Sequence, residues 1–338
     1  MKKKLIACTA ILLATAVLLA FLQALVEPKY MSVSREGALI AEYYNEKNPS
    51  HDVLFIGDCE VYESFTPPTL WEAYGITSYI RGSAQQLAWH SYYLLEDTLR
   101  YETPKVVVYN VLALKYGEPQ DEAYNRLNLD GMRWSRAKVE AIRASMTEGE
   151  SFASYLFPLL RFHSRWKELG AEDFRYLFSR DRVSHNGYLM QTEVRGGRSD
   201  ITPDPYTDPL PTTSMAYLEK MRALCAEKGI ELVLIKAPTN DWKYHWYDEW
   251  DDQIRTYAAE KGVRYYNFID AVDAIGIDWS TDTYDKGVHL NVYGAEKLTA
   301  YFGEILRREL ALADRRGDEA LAAVWQTKLD LYYEERNQ

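Results

Sequence analysis

The most strongly patterned stretch of the chain is its beginning, where Leu5 to Val26, LIACTAILLATAVLLAFLQALV, runs for 22 residues without a charge. At ~1.5 Å per residue this is enough to cross a hydrocarbon layer of ~30 Å. The pattern predicts a cytoplasmic stub over 1–4, a membrane-spanning helix over 5–26 and a helical linker over 27–50. A cleaved signal peptide satisfies the same pattern. Beyond the linker, short apolar runs alternate with helical periodicities. DVLFIG and TSYIRG close on glycine, while KVVVYNVLAL, IELVLIKAP and VRYYNFID are longer and rich in β-branched or aromatic residues. Between them QQLAWHSYYLLEDTLRY, TSMAYLEKMRALCAEKG and DEWDDQIRTYAAEKG have helical spacing, the last two ending in the Lys-Gly pair of a helix C-cap. Strands alternating with helices predict a three-layer α/β/α domain over 51–310 with a parallel sheet covered on both faces.

Residues 116–212 break this rhythm. AKVEAIRASM, SFASYLFPLLRFHSRWKEL and AEDFRYLFSR read as helices, and GGRSDITPDPYTDPLP as a turn-rich connector. The expectation is a helical insertion, serving as a lid or as a buttress, and an added amphipathic helix over 311–338.

Charge narrows the partners. The net charge is −11 even with Lys2, Lys3 and Lys4 included, which disfavours a nucleic-acid ligand. Those lysines precede the apolar segment, whereas a mixed Glu27 and Lys29 follow it, so the positive-inside rule leaves the main domain outside the cytoplasmic membrane. The three cysteines make no disulfide framework, because Cys8 lies in the span and Cys225 on the apolar stripe of a helix. No CxxC, HExxH, Gly-Lys-Ser/Thr loop or GxGxxG occurs, so neither metal nor cofactor is expected.

Cys59 is different. The run VLFIG ends at a glycine, and DCE follows it at the carboxyl edge of a predicted parallel strand, the edge where ligands bind in open α/β sheets. A helix starting there favours a thiolate, while Asp58 and Glu60 oppose one, so an imidazole base is needed. His289, in DTYDKGVHLNVYG, stands before the last helix of the domain, with Asp285 four residues earlier. Oxyanion donors are available in the amide of Cys59, the amide of Gly82 and the side chain of Asn110. Taken alone, a glycine after a strand is commonplace, and an Asn in an apolar strand is more often a network residue.

In combination, Gly57-Asp58-Cys59, Gly82, Asn110 and His289 follow the order of the four sequence blocks of the SGNH, or GDSL-like, hydrolase superfamily. The resemblance covers roughly 50–115 and 215–310. It implies a flavodoxin-like sheet, Cys59 in the place of the family's nucleophilic serine, His289 as general base, Asp285 as its orienting carboxylate, and Gly82 with Asn110 in the oxyanion hole. More narrowly, the layout resembles the membrane-anchored branch active in cell-envelope acylation, such as the alginate O-acetylation proteins and the D-alanyl transfer protein of teichoic acid synthesis. That likeness implies acyl transfer to an envelope polysaccharide or teichoic-acid-like polymer beside a multispanning membrane acyltransferase. Two departures accompany it: cysteine replaces serine, and Lys286 stands three residues before His289, leaving Asp285 or Asp282 as the orienting carboxylate. An esterase, or an inactive polymer-binding protein of the same fold, are the rival readings. Asp58, Trp242, His245 and Arg165 are candidate substrate contacts, the bland alternative being ordinary turn and core residues.

Overall fold

The computed structural model describes residues 2–27, 36–178, 182–198, 209–240 and 247–338. Five strands, β1 (Val53–Gly57), β2 (Ser78–Gly82), β3 (Val106–Asn110), β4 (Glu231–Lys236) and β5 (Arg264–Asn267), form one parallel sheet in the order β2-β1-β3-β4-β5. This is the flavodoxin-like order, with its switch point between β1 and β3. Alternate strand residues serve opposite faces. Val53, Phe55, Val106, Val108, Val233 and Ile235 enter one apolar core, whereas Leu54, Ile56, Val107, Tyr109, Leu232 and Leu234 enter the other.

Helices α1 (Lys2–Val26) and α2 (Glu36–Glu42) precede the sheet, and α3 (Cys59–Tyr62) and α4 (Pro67–Tyr74) follow β1. The long sheet-covering helices are α5 (Ala88–Thr98), then, after the insertion, α11 (Thr212–Lys228), α12 (Tyr247–Lys261) and, beyond the short α13 (Val272–Ile275), α14 (Val292–Glu309). Leu70 of α4 and Leu298 and Phe302 of α14 pack on the first core, while Ala88 of α5, Met221 of α11 and Ile254 of α12 pack on the second. Helix α1 is long and apolar enough to cross a membrane, and the terminal α15 (Glu319–Arg336) docks on α4 through stacked Trp71 and Trp325, 5.3 Å apart.

Two expectations are corrected. The third strand stops at Asn110, and Val111–Lys115 turn into a 3-10 helix. The single helix expected over SFASYLFPLLRFHSRWKEL is broken into α8 (Phe152–Leu156), α9 (Leu159–Phe162) and a 3-10 turn, His163–Lys167. Pro158 explains the break: it lacks an N–H and pushes Phe157 out of the helical region, to φ −124° and ψ 84°.

The remaining insertion helices are α6 (Glu122–Leu129), α7 (Arg136–Ser145) and α10 (Ala171–Tyr176). Leu129, Ile142 and Tyr155 pack with Ile40 of α2 and Leu94 of α5, so this part is a buttress on the outer side of α5. The later part seals the free edge of β2. Ile80 N donates to Asn186 O at 2.9 Å, and Asn186 Nδ2 donates to Ser78 O at 3.1 Å, so the exposed strand edge is paired. Gly187 is required there: its φ is +86°, and a Cβ would stand 2.0 Å from Ile80 O.

Candidate active site

Strand β1 delivers Cys59 to the carboxyl edge of the sheet at the switch point. The backbone passes tightly at Gly57, where a Cβ would lie 2.6 Å from Val61. Asp58 then caps α3, accepting from Glu60 N at 3.2 Å, so Cys59 is the first helical residue. The residue is partly buried, and its sulfur lies 3.0 Å from His289 Nε2. The other ring nitrogen, Nδ1, is 2.6 Å from Asp285 Oδ2, and the second oxygen of that carboxylate accepts the His289 amide at 2.8 Å.

One carboxylate therefore holds both the backbone and the ring of the histidine. The extra residue between them is absorbed by the turn: Lys286 has φ +66° and Gly287 φ +92°, folding His289 back onto Asp285. Asp282 faces away, its carboxylate 2.6 Å from Lys297 Nζ and accepting from Asp278 N. The loop is bracketed by the Thr283–Leu290 bridge and strapped by the insertion's connector, through Arg195 N to Thr283 O and Lys286 N to Arg195 O, each 2.9 Å.

The residues beneath the sulfur include one that sequence reasoning missed. Lys236, at the end of β4 and fully buried, places Nζ 2.7 and 2.8 Å from the two oxygens of Glu60. Asn110 donates to Asp58 Oδ1 at 3.1 Å and to Glu60 Oε2 at 3.0 Å. Both amide hydrogens of Asn110 are thus engaged under the site, a correction to its expected place as an oxyanion donor. A buried side-chain amide saturates its donors with whatever acceptors share its pocket, and here those are two carboxylates. Asp58, expected as a substrate contact, is likewise a buried cap, and its carboxyl is raised to about 6 by burial and by Glu60 beside it.

A lysine in a strand pattern gave a usable signal. IELVLIKAP ends its apolar run with a cation at the same sheet edge as Glu60, and a buried lysine demands a carboxylate.

Glu63 is the second residue the sequence did not single out. Its Oε2 is 3.6 Å from His289 Nδ1 and accepts the Tyr284 hydroxyl at 2.9 Å, and the Tyr284 ring stacks on the imidazole. Burial raises the Cys59 thiol above its ordinary value, with His289 pulling the other way. Burial also opposes the imidazolium, but Cys59, Asp285 and Glu63 outweigh it and hold His289 well above its usual range. The pair is built to share one proton, with the imidazolium stabilised once it forms. Because Glu63 favours that imidazolium, Glu63→Gln should lower the His289 pKa, so neutral base persists to lower pH. The acid limb of a rate profile for Cys59 modification is expected to move to lower pH, and an unmoved limb would remove Glu63 from the titration.

The structure brings Cys59, His289 and Asp285 together, with Gly82 paired to Gly57 on the adjoining strand. Arg165 is engaged elsewhere: it is buried and donates to Val26 O at 2.6 Å and to Asp173 at 2.8 Å, at the end of α1. Trp242 and His245 lie outside the described residues.

No family model matches the chain, and no curated protein matches it. Among solved structures, a chain from Bacteroides fragilis assigned as an acylhydrolase aligns with a TM-score of 0.40 and 12% identity, over 80% of this chain and 95% of that one. A GDSL-like lipase from Bacteroides thetaiotaomicron aligns with a TM-score of 0.39 and 14% identity, over 82% and 98%.

Proposed function

We propose that this protein is an acyltransferase with a cysteine nucleophile, tethered by α1 and working on an acylated cell-envelope polymer outside the cytoplasmic membrane. The observation that carries the reading is the Cys59 Sγ to His289 Nε2 distance of 3.0 Å, with Nδ1 held at 2.6 Å by Asp285. That is the arrangement nucleophile, base and orienting group require.

In the first half-reaction Nε2 removes the thiol proton as Sγ attacks the acyl carbonyl. The oxyanion is met by the amides of Cys59 and Gly82. The carbonyl's bond to the leaving group breaks, and the imidazolium returns its proton to that group. In the second half-reaction His289 takes the proton of an acceptor hydroxyl, whose oxygen attacks the thioester, and the thiol is regenerated. A thioester transfers readily to an alcohol but lies uphill of an ordinary ester, which favours an activated acyl donor such as a membrane acyltransferase would deliver. The polymer acceptor and the O-acetyl or D-alanyl character of the group rest on the resemblance of this layout to the membrane-anchored envelope acylation proteins.

The test is acylation of the purified full chain by an activated acyl donor, read as the mass of the Cys59 peptide, with a sugar alcohol then offered in water. We expect an acyl adduct on Cys59 in the native chain, none in Cys59→Ala, and transfer to the alcohol in excess of hydrolysis. Hydrolysis alone would make the protein an esterase. No adduct at all would leave a polymer-binding protein of the same fold.

A further inference from the structure

The short helices of the insertion sit at the end of α1. Helix α1 contacts α9, α10 and the 3-10 turn between them, its Leu25 and Val26 are buried, and Arg165 donates to the Val26 carbonyl at 2.6 Å. Residues Leu5 to Phe21 of α1 are exposed. Since α1 has 25 residues it is ~37 Å long, longer than a ~30 Å hydrocarbon layer. If its exposed part fills that layer, its last turns, and the helices packed on them, lie at the level of the lipid headgroups.

At that level the insertion exposes large apolar side chains. Trp166 is 66% exposed and Leu160 61%, with Phe157 and Phe174 about half exposed. Clustered exposed apolar groups mark an interaction surface, and tryptophan favours the membrane interface, where an apolar ring and a polar N–H are both accommodated. Charge agrees. Residues 152–178 hold four basic and three acidic side chains in a chain of net charge −11, so this segment is spared the repulsion from anionic headgroups that the remainder meets. The surface also adjoins the end of α1, which packs on α9, α10 and the turn between them, and a cavity of 370 Å³ lined by Glu27, Leu156 and Pro158 opens beside that junction.

We propose that α8, α9, α10 and the intervening turn form a second membrane contact, lying in the interfacial layer of the leaflet from which α1 emerges, with Trp166, Leu160 and Phe174 inserted. The occupant of this surface is the lipid bilayer itself. The proposal rests on α1 as a true span. Two contacts, one crossing and one lying flat, fix the tilt of the α/β domain above the membrane, where one helix on a linker would leave it free.

Tryptophan emission tests this, because α1 contains no tryptophan. The full chain is reconstituted in phosphatidylcholine–phosphatidylglycerol vesicles carrying bromine high on the acyl chains, and compared with Trp166→Phe. We expect the emission lost on removing Trp166 to be a component that bromolipid quenches and aqueous iodide does not, while buried Trp71 and Trp325 are quenched by neither. Leu160→Glu with Phe174→Glu should restore iodide quenching of Trp166. A Trp166 component open to iodide and untouched by bromolipid overturns the proposal and leaves that face to solvent or a protein partner. Flotation with the vesicles in alkaline carbonate reports α1 separately: failure to float removes the span and this proposal with it, whereas flotation without quenching removes the interfacial contact alone.

Discussion

His289→Ala is expected to slow acylation of Cys59 by ~10²–10⁴-fold, the usual contribution of a positioned base. The loss has two parts. The thiol sits in a buried place that already raises it, and His289 is what pulls it back, so removing the ring shrinks the thiolate fraction further. The ring, 3.0 Å from Sγ, is also placed to return a proton to the leaving group. Stopped-flow acylation of the native chain and the variant at several pH values measures both: the variant should recover part of its rate as pH rises and hydroxide ionises the thiol. Cys59→Ala, run beside it, sets the zero. Equal rates for the native chain and His289→Ala would show that the short contact has no chemical consequence, and the proposed function would fall.

The second large effect concerns stability. Lys236→Met should destabilise the domain by about 3–5 kcal/mol, the range for breaking a buried ion pair from one side. Methionine fills the space of the lysine stem, but Glu60 is left as a buried carboxylate beside Asp58, without its cation and with the Asn110 amide as donor. Pairing the change with Glu60→Gln removes the uncompensated charge, and the double variant should recover most of the loss. Denaturant unfolding of the four proteins in detergent forms the cycle, and a coupling near zero would mean that the 2.7 Å contact contributes nothing. Because Glu60 follows Cys59 directly, the same pair anchors the first turn of α3, which begins at Cys59.

Much of the architecture was legible because the hydrophobic spacing is local. Both Lys-Gly stops coincide with helix ends at Lys228 and Lys261, and the runs ending at Gly57 and Gly82 are strands that end there and begin one residue later than the runs. What failed was also local but subtler. Pro158 divides a pattern that reads as continuous, because one missing N–H outweighs an apolar period that carries on through it. The candidate site was legible in the pairing of Cys59 with His289, which the structure places 3.0 Å apart. Its supporting residues were not, since Glu60, Glu63 and Lys236 are common types whose importance lies in being desolvated together.

By itself the sequence determined an N-terminal helix long and apolar enough to cross a membrane, the alternation of strands and helices, and the placing of a cysteine after the first strand and a histidine before the last sheet-covering helix. Each of these follows from side-chain periodicity or from the chemistry of a single residue. Only the tertiary structure decided that Asp285 rather than Asp282 meets the imidazole, that Asn110 serves two buried carboxylates, and that Arg165 grips the end of α1. Those outcomes depend on which polar groups are shut away from water in the same place, and residues 176 apart, such as Glu60 and Lys236, become partners only when the sheet closes around them.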